Sequence, residues 1–401
     1  MSETNPLIFA QITDIHIGHY FNPQEAASNL RWALREIGQI EPQPACILAT
    51  ADLVSGGTEA ELEEYARLAA DSPVPIYALP ANHDLWGEQD TGAWERLVGP
   101  LRCSVDLPGL RVVLVDDVSR RRDQPVHNNE GWGAWLSPEK MAWVDEQLST
   151  APAAKLVAQH VPILPIADSF HNAWADSNAS EVLDLYRRHN IAALITGHWH
   201  RNNEWKVAGV RIINTGALCG WQYDGIPPHH CFPTRPGYRL FAYDNEALRT
   251  FWRDGSYWTS PPSFPDPQVT LEWIGPVHTG GPRPQVQPVE VYANCTLVAK
   301  AFSVETEIAE VAWSVVRGQW QRATLAYQGL WSEWKVELDM DRLRGMGEQT
   351  LWVRATRADG QIAYDAVPIR LAECAASARR ADGVVATALS ERLFAPFYGP
   401  E

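Results

Sequence analysis

The six cysteines (Cys46, Cys103, Cys219, Cys231, Cys295 and Cys374) include no CxxC pair and no dense framework, so a disulfide-stapled scaffold is not in view. Reduced thiols are the expectation, although Cys219 and Cys231 bracket one Pro-rich loop and could pair in an oxidising compartment. No apolar run approaches the ~20 residues that a membrane span needs. The start, Met1 to Pro6, lacks the basic segment and apolar stretch of a secretory signal. A soluble, cytoplasmic protein follows as the expectation. Positive charge is also scarce: 33 Lys and Arg against 49 Asp and Glu leave a net charge of −16, and no basic stripe offsets it. That balance argues against a nucleic acid polymer as the main partner. There is no tandem repeat.

What the chain does have is length and ordinary globular composition. At 401 residues, with 45% apolar and 20% charged, it is long enough for two domains and leaves no case for global disorder. Through the first 215 or so positions, short β-branched runs alternate with helical patterns. Strands are expected at Leu7 to Thr13, Ala45 to Thr50, Pro75 to Leu79, Arg111 to Val115, Lys155 to Gln159 and Ile191 to Thr196. Helices are expected at Pro23 to Ile40, Glu59 to Ala70, Pro138 to Leu148 and Ser180 to His189. In the first of these, Ala27, Leu30, Ala33, Leu34 and Ile37 recur at three- and four-residue steps, an apolar face suited to covering a sheet. Further strands are expected at Lys206 to Thr215 and Tyr238 to Tyr243.

Near Ser260 the composition changes. Prolines 261, 262, 265, 267, 282, 284 and 288, with Gly280 and Gly281, mark an extended connection. The expected organisation is a catalytic domain over 1–260, a connection over 261–288, an immunoglobulin-like β-sandwich over 289–372 and a tail over 373–401. The sandwich is read from short strands at Val289 to Phe302, Ile308 to Val316, Gln321 to Tyr327, Glu333 to Leu338, Thr350 to Arg357 and Gln361 to Leu371. Trp313, Trp320, Trp331, Trp334 and Trp352 lie in this region, where tryptophans on strands mostly serve the core.

The chemistry lies at strand ends. Asp14 and His16 stand two apart, so on extended chain both could reach one ion. Asp52 follows the run Ala45 to Thr50, where its two oxygens could bridge two cations. Asn82 offers a neutral carbonyl oxygen. His83 beside it can donate a proton if a carboxylate holds its other nitrogen, with Asp84 the nearest candidate. His160 ends a strand, and His198 and His200 follow the turn residue Gly197. Singly, each has an ordinary reading as a cap, a turn residue or a satisfied histidine. Together they all fall at carboxyl ends of strands, where open α/β sheets place their ligand sites. Mixed His, Asp and Asn ligation suits Mn, Fe or Zn better than Ca or Mg.

In order and spacing, Asp14-x-His16, Asp52, Asn82-His83-Asp84, His160 and Gly197-His198-x-His200 resemble the calcineurin-like metallophosphoesterase family, in a bacterial form with an added C-terminal β domain. The resemblance spans about Leu7 to Thr215. It implies a four-layered α/β/β/α sandwich, followed here by the C-terminal β-sandwich. It also implies two metal ions: one on Asp14, His16, Asp52 and His200, the other on Asp52, Asn82, His160 and His198, with Asp52 as the bridge. One departure is visible, since the family usually has Gly where this chain has Ala51. The implied mechanism is attack on phosphorus by a hydroxide bridging the two cations, with His83 protonating the leaving alkoxide.

Two stretches resemble loops that overhang the site in bacterial members: His127, Asn128 and Asn129 with Trp132, and Cys219 to His230, which holds Trp221, Tyr223, His229 and His230. Their aromatic and polar side chains could stack on a base or hold a cationic group, and loop packing is the ordinary alternative. A small phosphodiester is the expected substrate. The runner-up is a phosphomonoester, and a separate reading is a carbohydrate- or partner-binding protein acting through the C-terminal β domain.

Overall fold

A computed structural model describes residues 6–18, 23–85, 91–120, 132–151, 154–163, 178–200, 202–223, 231–233, 236–255, 266–274, 289–291, 296–315, 319–338 and 346–371. The chain divides into two compact units, Met1–Arg201 with Lys206–Phe264, and Pro265–Glu401 with Asn202–Trp205.

The first unit opens with β1 (Leu7–Ile12), α1 (Pro23–Ile37), β2 (Ile47–Thr50), α2 (Glu59–Ala69), β3 (Ile76–Leu79) and two short helices, α3 (Asn82–Leu85) and α4 (Gly92–Leu97). It continues through β4 (Cys103–Leu107), β5 (Leu110–Leu114), β6 (Val118–Arg120), β7 (Trp132–Ala134), α5 (Pro138–Ser149), β8 (Ala154–Ala158), α6 (Ala179–Arg188) and β9 (Ala193–Thr196). It closes with β10 (Asn203–Val207), whose residues up to Trp205 fall in the second unit, and with β11 (Val210–Asn214), β12 (Trp221–Tyr223), β13 (Cys231–Pro233), β14 (Gly237–Tyr243) and β15 (Leu248–Asp254).

Two mixed sheets form its centre. One runs β15-β14-β1-β2-β3, with β1, β2 and β3 parallel and β14 and β15 antiparallel. The other runs β10-β11-β9-β8-β5-β4, with β11, β9, β8 and β5 parallel and β4 antiparallel to β5. The central strands are buried almost throughout, which explains why their sequences read as continuous apolar runs rather than alternating ones. The sheets meet through a polar seam: Gln11 on β1 donates to Thr50 Oγ1 (2.8 Å) and Thr196 O (3.1 Å), and accepts from Thr215 Oγ1 (2.6 Å).

Helices cover the outer faces. The α1 face of Ala27, Leu30, Ala33, Leu34 and Ile37 is buried as its periodicity predicts. Glu36 on the same helix accepts from Tyr238 Oη (2.6 Å) on β14 and Arg253 Nε (2.6 Å) on β15. The α2 helix starts in a capping box, Thr58 with Glu61, and buries Leu62, Tyr65 and Leu68. On the other side, α5 begins with Ser137 as N-cap and Pro138 in the first turn, and packs on β5, while α6 packs on β11.

The expected strand Lys206 to Thr215 is instead a hairpin, β10 and β11, turning at Ala208 and Gly209, both at positive φ. The strands β4 and β15 and the helix α4 were not expected. The β4 strand alternates exposed and buried positions around a single buried Val105, too short a pattern to stand out.

In the second unit, β16 (Gln268–Ile274), β17 (Val289–Val291), β18 (Thr296–Phe302), β19 (Ile308–Ser314), β20 (Gln321–Arg322), β21 (Thr324–Gln328), β22 (Ser332–Val336), β23 (Glu348–Arg357) and β24 (Ile362–Leu371) make two sheets, β16-β18-β22-β21 and β17-β24-β23-β19-β20. Leu271, Leu297, Trp334, Val311, Leu351 and Val353 belong to one apolar cluster fed by both sheets. Trp313, Trp331 and Trp334 are core, whereas Trp352 is exposed and Trp320 lies under the Arg354 guanidinium at 4.7 Å. Within 261–288, expected as a connection, β16 pairs along its whole length with β18. The β-branched and apolar run that follows Pro267 is strand-forming despite the prolines around it. The tail beyond Leu371 lies outside the described residues.

Candidate metal centre

The parallel strands of both sheets end at one place. Asp14 and His16 follow β1, Asp52 follows β2, Asn82 follows β3, His160 follows β8, and His198 and His200 follow β9. Their backbones are unusual. Among the described residues, nine other than glycine have positive φ, and six of these are Asp14, His16, Ala51, Asp52, His198 and His200. Such left-handed conformations cost roughly 1–2 kcal/mol each in L-residues, and they collect where a site over-determines them. Residues two apart therefore converge here through tight turns, not along an extended chain. Ala51, at φ 72°, occupies the left-handed position that glycine adopts freely.

The turns are locked from below. Asp14 N donates to Ala51 O (3.1 Å), and His16 N to Asp52 O (3.0 Å). Thr13 Oγ1 donates to Asp14 Oδ2 (2.8 Å), and His198 N to Asp14 Oδ1 and Oδ2 (3.1 and 3.0 Å). Gly197 passes so close that a Cβ there would run into Thr13 Oγ1 and stand 2.6 Å from Asp14 Oδ2.

The side chains then face one another. His200 Nε2 lies 3.3 Å from Asp14 Oδ1 and 3.1 Å from His16 Nε2. Asp52 Oδ2 lies 3.0 Å from His160 Nε2 and 3.9 Å from His16 Nε2, and its Oδ1 accepts from His83 N (3.2 Å). His160 and His198 meet edge to face with centroids 5.0 Å apart. Three ligand groupings result among the described residues, His16 with His200 and Cys219, His16 with Asp52 and His83, and Asp52 with His160 and His198, and Asp52 belongs to two of them.

These residues fit a bound cation. His160 Nδ1 stands 2.9 Å from Thr50 O, a carbonyl that can only accept, so Nδ1 carries the hydrogen and the Nε2 lone pair faces the Asp52 carboxylate. Two acceptors 3.0 Å apart need a proton or a metal ion between them. With protons alone, burial favours the neutral ring, but Asp52, then Asp14 and Asp117, outweigh it and push the His160 pKa up to about 10. Burial likewise disfavours charge on Asp52, yet His160, His83 and His16 together hold its carboxyl well below the usual range. Asn82 Oδ1 is buried without a hydrogen-bond partner, as a carbonyl ligand would be.

Asp84 does not orient His83. Its carboxylate accepts from Asp52 N (2.8 Å), Leu53 N (2.7 Å), Val54 N (3.2 Å) and Ala81 N (2.9 Å), so it clamps the loop that carries Asp52. Burial and the Asp52 charge push its pKa up to about 8, against the pull of those backbone donors. His83 Nδ1 is held instead at 2.7 Å by Ser55 O. The nearest carboxylate in sequence was the wrong guide, because the Asp84 oxygens are saturated by main-chain N–H groups.

Sequence reasoning also missed Asp117. It is buried, accepts from His160 N (2.9 Å) and Val161 N (2.8 Å), and burial pushes its pKa up to about 6. Its position just past β5, at a carboxyl end like the others, was an available signal. Cys219, expected as a reduced thiol at the start of an overhanging loop with pairing to Cys231 as the alternative, is a buried free thiol 3.8 Å from His200 Nδ1. Of the loop residues, Trp132 falls on β7 and Trp221 and Tyr223 fall on β12, while His127, Asn128, His229 and His230 lie outside the described residues.

Comparison with known proteins adds a family model and three relatives. Residues 7–202 match the family model described as calcineurin-like phosphoesterase. The chain is 22% identical over 273 residues to a "Probable cyclic nucleotide phosphodiesterase" of Psychrobacter arcticus, covering 60% of this chain and 91% of that protein. It is 22% identical over 302 residues to a "3',5'-cyclic-nucleotide phosphodiesterase" of Nostoc sp., covering 68% of this chain and 100% of that one. A "Probable glycerophosphodiester phosphodiesterase" of Arcobacter nitrofigilis is 23% identical over 206 residues, covering 49% of this chain and 72% of its own length.

Proposed function

Residues 7–202 belong to the calcineurin-like phosphoesterase family and the chain is a phosphoric ester hydrolase; from that premise we propose that it is a dinuclear metal-dependent phosphodiesterase. The observation that carries the reading is the shared carboxylate: Asp52 takes part in two of the three ligand groupings, so its two oxygens can serve two ions at once. Asp14, His16 and His200 would complete one ion's shell, and Asn82, His160 and His198 the other's. Mn, Fe or Zn suits this donor set. A pair of such ions supplies a nucleophile at neutral pH and stabilises charge on the phosphoryl oxygens.

The chain's own residues do the rest. His83 is half-buried, beside both Asp52 and His16. Its Nδ1 hydrogen bond to Ser55 O fixes the ring and leaves the other nitrogen to hand a proton to the departing alkoxide. Thr50 O performs the same orienting service for His160, and Asp84 keeps the Asp52 loop in place. A diester is favoured because the relatives with printed activities act on cyclic nucleotides or glycerophosphodiesters. By the resemblance in sequence, Trp221 and Tyr223 on β12 would contact the second ester group.

The test is hydrolysis of cyclic nucleotides, glycerophosphodiesters and the matching monoesters by metal-stripped protein reloaded with Mn, Fe or Zn, alongside elemental analysis. Metal-restored diester hydrolysis with about two ions per chain is expected. Faster turnover of the monoesters would make it a phosphatase, and activity without metal would overturn the reading. His83→Ala is expected to lower turnover of natural diesters by about 10²–10⁴-fold with metal content kept. The loss should be smaller on p-nitrophenyl esters, whose leaving group needs no acid; equal turnover on a natural diester would remove His83 from the mechanism.

A further inference from the structure

We infer that Cys219 is a positioning residue of the metal centre, its sulfur backing His200 on the ring nitrogen turned away from the ions. The inference rests on the metal-dependent reading above. His200 Nε2 faces Asp14 Oδ1 (3.3 Å) and His16 Nε2 (3.1 Å), whereas Nδ1 faces Cys219 Sγ at 3.8 Å. The thiol also stands within ligand-set distance of His16 and His200, but it meets Nδ1 and not Nε2, so with Nε2 as the ligand atom Cys219 would be a supporting group and not a ligand.

The arrangement completes a pattern. Nδ1 of His83 is backed by Ser55 O at 2.7 Å and Nδ1 of His160 by Thr50 O at 2.9 Å. For His200 the same position is filled by a thiol. Donation from Nδ1–H to the sulfur leaves the Nε2 lone pair for a metal, the orienting service that outer-shell groups give to ligating histidines.

The main chain around the thiol is built to hold it. Leu218 N donates to Thr13 O (2.9 Å) and Cys219 N to Asp14 O (3.0 Å), tying the segment to the turn that carries Asp14. From α1, the buried Asn29 donates its Nδ2 to Leu218 O (3.0 Å) and Cys219 O (3.4 Å). Gly220 then takes φ 75°, turning the chain away immediately after the sulfur is placed. The thiol is fully buried, so its place beside His200 is not an accident of an exposed side chain.

The experiment is metal titration of stripped full-length protein against a competing chelator for wild type, Cys219→Ala and Cys219→Ser, with the absorption spectrum of the cobalt-loaded wild type. Cys219→Ala should weaken one of the two ions about 10–100-fold and leave the other unchanged. Cys219→Ser, whose hydroxyl also accepts, should recover most of the loss. The cobalt spectrum should show no sulfur-to-cobalt charge-transfer band. Wild-type affinity for both ions in Cys219→Ala overturns the inference, as does a serine variant no better than alanine, or a charge-transfer band, which would make the sulfur a direct ligand. A wild-type protein that binds no metal overturns this inference and the proposed function together.

Discussion

The strand ends of the first unit and the interior of the second are both buried, and they are made of opposite materials. At the strand ends Asp14, His16, Asp52, Asp84, Asp117, His160 and His200 are each almost fully enclosed. The interior of the sandwich is Val, Leu, Ile, Ala and Trp. Six non-glycine residues at the strand ends have left-handed backbones, and among the described residues of the sandwich there are none. The described strands of the sandwich keep to ordinary strand backbone apart from two register shifts, between Ile308 and Glu310 and between Leu325 and Tyr327. The strand ends depart from it, and the cost is borne because the two sheets and a web of main-chain hydrogen bonds leave those residues no alternative conformation.

The largest test of this contrast is Asp52→Asn. Removing the charge that two of the ligand groupings share is expected to reduce turnover to background and empty the centre, read by elemental analysis and diester hydrolysis.

Next in size, Leu351→Ala in the sandwich should cost about 2–5 kcal/mol in denaturant unfolding, through a cavity in an apolar cluster, with the metal content of folded protein unchanged. Gly197→Ala should do the reverse. Its new methyl meets Thr13 and Asp14, so a stability loss of about 1–3 kcal/mol would come with loss of metal. If Leu351→Ala shed metal, or Gly197→Ala retained it, the two regions would not be separable in the way their chemistry implies.

Smaller still is a pH effect confined to the strand ends. In metal-stripped protein the His160 pKa is raised from 6.5 to about 10. The stability this contributes is complete below pH 6.5 and lost as pH rises through 10. Thermal unfolding of the stripped protein should therefore fall across that window by a few degrees relative to protein loaded with metal, in which the ion takes the proton's place on Nε2. Parallel curves would show that His160 does not ligate.

The smallest effect belongs to Ala51→Gly. Relief of a left-handed alanine gains roughly 1–2 kcal/mol. Against this stand about 0.5–1 kcal/mol of added chain entropy and about 0.8 kcal/mol of lost methyl burial. The expected net change in unfolding free energy is within about 1 kcal/mol of zero, with metal content intact.

Much of this was legible in the chain. The α1 face, the strand runs of both sheets and all the proposed ligands could be named from residue type and spacing, since period and strand-end placement are local properties. The errors were local rules misapplied over distance. Asp84 stands next to His83 in sequence but serves the backbone of residues 52–54, while Ser55 O, 28 positions away, holds the imidazole. The place of Cys219 beside His200, and Asp117 altogether, went unread because their partners, His200 and the His160 main chain, are joined to them only by the packing of separate loops and strands.

By itself, then, the sequence determined which residue types stand at the ends of which strands, because apolar period and turn chemistry act within a few residues. The tertiary structure decided what each polar atom faces: which oxygen of Asp52 meets His160, which nitrogen of His200 meets sulfur, and which residues sit in left-handed turns. Those choices come from the stacking of two sheets whose strands are far apart in the chain. Only that packing brings the carboxylates and imidazoles to hydrogen-bonding distance with water excluded.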